Sequence, residues 1–151
     1  MNNGFKTKAD RATDGFVLFE PVATDRIMQI RISLESYGIR LSYGALEKLD
    51  FPEYCHILFD KKTSRMMIKT AQGTDSNVFR IKSTDVKGKN TNLGYIQNAR
   101  LKKAVAKIAK YSESGKDRPF WKGYQPEGLK NSLIFDLSSF ELLSEMRKEL
   151  I

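Results

Sequence analysis

Between Ile81 and Tyr111 the chain sets eight lysines and arginines against one acid, Asp85. They are Lys82, Lys87, Lys89, Arg100, Lys102, Lys103, Lys107 and Lys110, and the segment alone holds a net +7 of the formal +8. The cationic excess is therefore local. Clustered cations attract polyanions and release their counterions on binding, so the chemistry on offer is phosphate attraction. Lysine dominates the set, which favours point contacts to phosphate over bidentate reading of base edges. Arg31 and Arg40 face outward on adjacent predicted strands and add two candidates for phosphate or base contact.

Other chemistries are poorly supplied. One histidine and one cysteine cannot build a multi-ligand zinc site within one chain. There is no phosphate-cradling GxxxxGK[ST] and no GxSxG elbow. Cys55 and His56 are neighbours in a predicted strand, where adjacent side chains point to opposite faces, so they form no nucleophile–base dyad. Asp60, Asp85 and Asp136 share no spacing that would pair two carboxylates. These counts point away from an enzyme and imply no cofactor and no metal. The aromatics Phe120, Trp121 and Tyr124 lie among Lys116, Arg118 and Lys122. Such interleaving serves either to stack exposed bases or to fill a core on one side of a strand.

The elements that must position these groups can be read from periodicity. Composition is that of an ordinary globular chain, 151 residues with 40% hydrophobic and 11% aromatic, long enough for one domain or one domain of two similar halves. Residues 1–15 read as a mobile N-terminal arm, with a short apolar strand at Phe16–Phe19. Met28, Ile30, Ile32 and Leu34 alternate with polar residues as a half-buried strand, and Gly38 supplies the turn into a second strand at Ile39–Leu41. Ser42 is the expected N-cap of a short helix to Leu49, stopped by Phe51-Pro52. Tyr54–Phe59 and Arg65–Lys69 form a hairpin.

A similar cycle follows. Val78–Lys82 is a strand, Ser83–Asn92 a basic loop and Leu93–Ile96 a short strand. A helix from Gln97 or Asn98 to Lys110 buries Leu101, Ala104, Val105 and Ile108 and exposes Arg100, Lys103, Lys107 and Lys110. Phe120–Tyr124 and Leu133–Leu137 form a second hairpin. A last helix is expected to start at the capping box Ser138-x-x-Glu141 and run to Leu150. The order strand, strand, helix, hairpin thus occurs twice, over about 16–72 and 77–151, with IRIS at Ile30–Ser33 echoed by FRIKS at Phe79–Ser83. The expected fold class is α+β: two such halves forming a small β-barrel-like core with short helices and a C-terminal helix.

Ile30–Leu34 (IRISL), Tyr37–Leu41 (YGIRL), Ala45–Leu49 (ALEKL) and Ile57–Lys69 (ILFDKKTSRMMIK) together resemble the AbrB-like swapped-hairpin DNA-binding domain. The second half looks like a degenerate copy with an enlarged basic loop and a longer helix. The resemblance implies two interleaved units in one barrel, here supplied by a tandem repeat in one chain, as a monomer or a homodimer. It departs from the family pattern at Ser42, where a proline commonly opens the short helix, and at Pro52-Glu53, where Gly-Asp is usual.

Together these features lead to a cytoplasmic, non-enzymatic protein that binds nucleic acid, duplex DNA first, and regulates by occupancy. No apolar run of the roughly 18 residues needed to cross a bilayer is present, no secretory signal opens the chain, and a single cysteine fits a reducing compartment. The expected surface is Lys82, Lys87, Lys89, Arg100, Lys103, Lys107 and Lys110, with Arg31 and Arg40 beside it. An alternative is a phage- or mobile-element-encoded inhibitor, anti-CRISPR-like, that uses the same patch on a host protein or its guide RNA. Multimerisation through strand edges is a third reading.

Overall fold

The computed structural model describes residues 15–16, 29–86, 89–112 and 118–142; for those among 84–93 it describes the backbone. In chain order the elements are β1 (Arg31–Glu35), β2 (Gly38–Leu41), α1 (Tyr43–Lys48), β3 (Tyr54–Asp60), β4 (Arg65–Ala71), β5 (Phe79–Arg80) and β6 (Lys82–Val86). They continue with β7 (Lys89–Gln97), α2 (Ala99–Ala109), β8 (Pro119–Tyr124), β9 (Ser132–Asp136) and β10 (Glu141–Leu142). Residues 1–14 of the expected arm and 17–19 of the short strand after it lie outside the described residues, as do 143–151.

All strand pairs are antiparallel, in the order β5-β3-β4-β9-β8-β1-β2-β7-β6, with β10 added on β8. The two ends of that order, β5 and β6, are consecutive in the chain, with Ile81 alone between them. Phe79–Val86 therefore pairs first with β3 and then with β7, and the sheet curls nearly closed into a barrel-like α+β fold. Ile81 is buried at this corner and its N–H donates to the Glu53 carbonyl at 2.8 Å. β8 turns the opposite corner: Phe120–Lys122 pair with β1, and Gly123–Tyr124 with β9. A Cβ on Gly123 would lie 2.5 Å from the Phe135 ring, so the bend needs glycine for close approach.

Alternation decides which side of each strand is interior. Ile32 and Leu34 of β1, Ile39 and Leu41 of β2, Met66 and Ile68 of β4, and Leu133 and Phe135 of β9 are buried together with Trp121 and Cys55. α1 begins at Ser42, whose Oγ accepts from the Ala45 N–H at 3.2 Å, and packs Ala45, Leu46 and Leu49 into the core, contacting β1 and β7. α2 begins at Asn98, whose Oδ1 accepts from the Leu101 N–H at 2.8 Å. It buries Leu101, Val105, Ala106 and Ala109 against the barrel, over β1 and β2, and ends on Lys110 in the left-handed conformation, φ 54°.

Two sequence expectations need correction. Ser83–Val86 and Lys89–Asn92 belong to paired strands, with Ser83 opposite Gly94, Thr84 opposite Leu93 and Val86 opposite Lys89. Backbone pairing does not require apolar side chains, so a polar composition concealed the strands. The capping box at Ser138 is not made either. The Ser138 hydroxyl donates to the Asp136 carboxylate at 2.6 Å, and Glu141 enters β10 opposite Phe120. The remainder of the expected C-terminal helix lies outside the described residues.

Candidate nucleic-acid interface

Arg100, Lys103, Lys107 and Lys110 are all exposed on the face of α2 opposite its buried stripe, as their spacing requires. No acidic residue occurs in the helix, and among the described residues none of these four forms an ion pair. Lys102 sits on the flank, half-buried. Arg100–Lys103, Lys103–Lys107 and Lys107–Lys110 are like-charge neighbours three or four residues apart, each costing the isolated helix about 0.2–0.5 kcal/mol. Cations near the N-terminal turn also oppose the helix dipole. The helix is therefore held by its buried stripe, and Arg100, Lys103, Lys107 and Lys110 carry positive charge with no ion pair among the described residues.

A second group of cations lies on the outer face of the sheet. The registers place Phe120 of β8, Ser33 of β1, Arg40 of β2, Tyr95 of β7 and Lys82 of β6 in one cross-strand row. Arg40 and Lys82 thus flank Tyr95, two strand spacings apart, or roughly 10 Å. The Tyr95 ring packs edge-on against Tyr37, 5.4 Å between centroids. Burial, followed by the Glu35 carboxylate, raises the Tyr37 phenol above its ordinary value, while Arg40 and Arg118 oppose the shift. Beside this row Arg31 stands opposite Lys122, and its guanidinium lies 5.7 Å from the Phe120 ring centroid. Arg118 reaches the buried Glu35 carboxylate at 3.3 Å, and Lys122 meets Glu141 at 3.6 Å in an exposed, weak pair.

Lys82 reaches toward the start of α2. Its Nζ donates to Gln97 Oε1 at 3.1 Å, at the end of β7 and one residue before the Asn98 cap of α2. Of the nine candidate residues, Arg31, Arg40 and Lys82 share the sheet's outer face, and Arg100, Lys103, Lys107 and Lys110 share the face of α2. Lys87 lies outside the described residues, as does the side chain of Lys89, although its backbone belongs to β7. The Tyr37–Tyr95 pair escaped the sequence because only the β2–β7 register brings Tyr95 beside Arg40.

Of the two roles open to the aromatics, burial takes two of the three. Phe120 and Trp121 are each 1% exposed, so neither offers a ring to an unstacked base; Tyr124 is exposed but lies past the bend in β8. Cys55 is buried, and desolvation pushes its thiol up to about 12, while His56 Nε2 lies 3.0 Å from the Ser76 carbonyl, on the other face of β3. Among the described residues no three His, Cys, Asp or Glu side chains gather as metal ligands, and no helix is long and apolar enough to cross a membrane. Compared with known proteins, the chain matches no protein-family model, no curated protein and no solved structure.

Proposed function

We propose that this protein binds duplex nucleic acid, DNA in the first instance, and acts as a regulator by occupying its site. The observation that carries the reading is the convergence of cations distant in sequence. Arg40 and Lys82 stand in one outward row across β2, β7 and β6, Lys82 bonds Gln97 just before α2, and Arg100, Lys103, Lys107 and Lys110 form no ion pair among the described residues. Flexible lysines on the helix supply phosphate contacts, and Arg40 on a rigid strand supplies the group able to make a bidentate contact.

We also infer that the chain is a tandem of two AbrB-like, interleaved halves. The support is the pairing pattern. Exchanging β1, β2, β3 and β4 with β5/β6, β7, β8 and β9 maps every strand pair among them onto another or onto itself. Each helix follows the second strand of its own half and packs on the second strand of the other.

The test is fluorescence anisotropy on a mixed-sequence DNA duplex across a salt series. The double variant Lys103→Glu/Lys107→Glu is expected to lose at least tenfold in affinity at low salt and to flatten the salt slope by about two. Arg40→Ala should weaken binding further at every salt concentration. Unchanged affinity in both variants removes the proposal. A protein partner retained at salt high enough to abolish DNA binding would favour the inhibitor reading instead.

A further inference from the structure

Beside the first turn of α2 the barrel opens into a concavity of about 290 Å³. Its wall is apolar: Ile57 and Phe59 from β3, Phe79 from β5, and Leu101 and Ala104 from α2. The three strand residues occupy inward positions yet are only half-buried, whereas Cys55, Met66 and Ile68 in the same sheet are fully covered. Among the described residues the interior is therefore incompletely filled at this corner, where α2 presents the short side chain of Ala104.

The polar members of the lining identify what complements it. Arg100 brings guanidinium donors and forms no ion pair among the described residues. The Asn98 Oδ1 is committed to the Leu101 N–H, which leaves its Nδ2 as a donor. Both polar groups on offer are thus donors, with no acid among the lining residues. The volume stands at the lower edge of the about 300–1,000 Å³ found for small-molecule sites.

We propose that this concavity binds a small organic anion: a carboxylate held by Arg100 and Asn98, carried on an alkyl or aromatic body that fills the space between Phe59, Phe79 and Ala104. A guanidinium–carboxylate pair is charge-assisted and can be bidentate, which fixes the head while the apolar wall takes the tail. The site stands or falls separately from the nucleic-acid reading, because its ligand is small and its wall is hydrophobic.

The experiment titrates the intact ¹⁵N-labelled protein with octanoate, and in parallel with 1-octanol, following backbone amide shifts. Octanoate is expected to give saturable shifts centred on Leu101 and Ala104, with octanol about tenfold weaker. Arg100→Gln should weaken octanoate by about tenfold and leave octanol unchanged. Ala104→Leu, which fills the concavity from the helix side, should weaken both. Arg100 is exposed and Ala104 half-buried, so neither variant threatens folding. Absence of saturable octanoate shifts overturns the proposal, and so does an octanoate affinity unchanged in either variant.

Discussion

Ser42 shows how much one side chain can organise. Its Oγ accepts from the Ala45 N–H at 3.2 Å and from the Arg31 N–H at 3.1 Å, and donates to the Gln29 carbonyl at 2.7 Å. The cap of α1 thereby also pins the entrance to β1. Ser42→Ala is expected to cost about 1–2 kcal/mol, measured by urea unfolding, and an unaltered midpoint would contradict this role. Its capping role was legible because a hydroxyl before an apolar helical pattern has a local meaning. Gly38 was legible as a glycine that takes a positive φ, and it does so at 155°; a second reason was not legible. A Cβ there would collide with the Ile96 carbonyl oxygen on β7, a contact between strands far apart in sequence. Gly38→Ala should destabilise by about 2–3 kcal/mol in the same assay. The carboxylates of Asp60 and Asp136 are held below their ordinary value, first by the Thr63 and Ser138 hydroxyls respectively. A depressed folded-state value contributes stability that is present above the unfolded value, about 3.9, and lost as pH falls through the folded one. Asp136→Asn should therefore lower stability modestly near neutrality and flatten the acid limb below about pH 4, where the two proteins converge.

At the scale of elements, α2 combines a well-made interior face with an exterior that works against the helix. That opposition gives a prediction in which stability and binding move apart. Lys103→Glu turns two like-charge neighbours, Arg100 and Lys107, into opposite-charge ones, and should raise thermal stability by about 0.5–1 kcal/mol. The same change should weaken retention of duplex DNA at low salt. If both quantities fell together, the loss of binding would reflect a damaged helix and not a lost phosphate contact. The two faces of α2 were readable because helical period is a short-range signal. The Leu93–Ile96 part of β7 was read as a strand, but β6 beyond Lys82 and the Lys89–Asn92 start of β7 were not, because they hold few apolar side chains to alternate, and their pairing depends on backbone groups that composition does not report. For the same reason Glu141 read as a capping-box acid: its local text suits a helix start, but a strand partner at Phe120 takes its backbone.

For the whole molecule, a barrel-like core was expected from the repeated element order and the family resemblance, but the pairings that close it were not legible. Element order was visible, but nothing local says that β5 and β6 are the two ends of one sheet, or that β2 meets β7 and places Arg40 beside Tyr95. Those contacts join strands from different halves of the chain, and they bring the candidate site together. Interleaving has a direct physical consequence. The pairs β1·β8, β2·β7, β3·β5 and β4·β9 all cross from one half to the other, so a half on its own leaves open edges where the intact chain is paired. Unpaired edges and an uncovered inner face leave too little burial to offset chain entropy. Fragments 1–77 and 78–151 prepared separately should therefore lack cooperative thermal unfolding as monomers. Mixed, they should recover the far-UV circular dichroism and a melting transition close to that of the full chain, lowered by the association cost and rising with concentration. A monomeric half that unfolds cooperatively by itself would show that the halves are neighbouring units, and the barrel would no longer require their exchange.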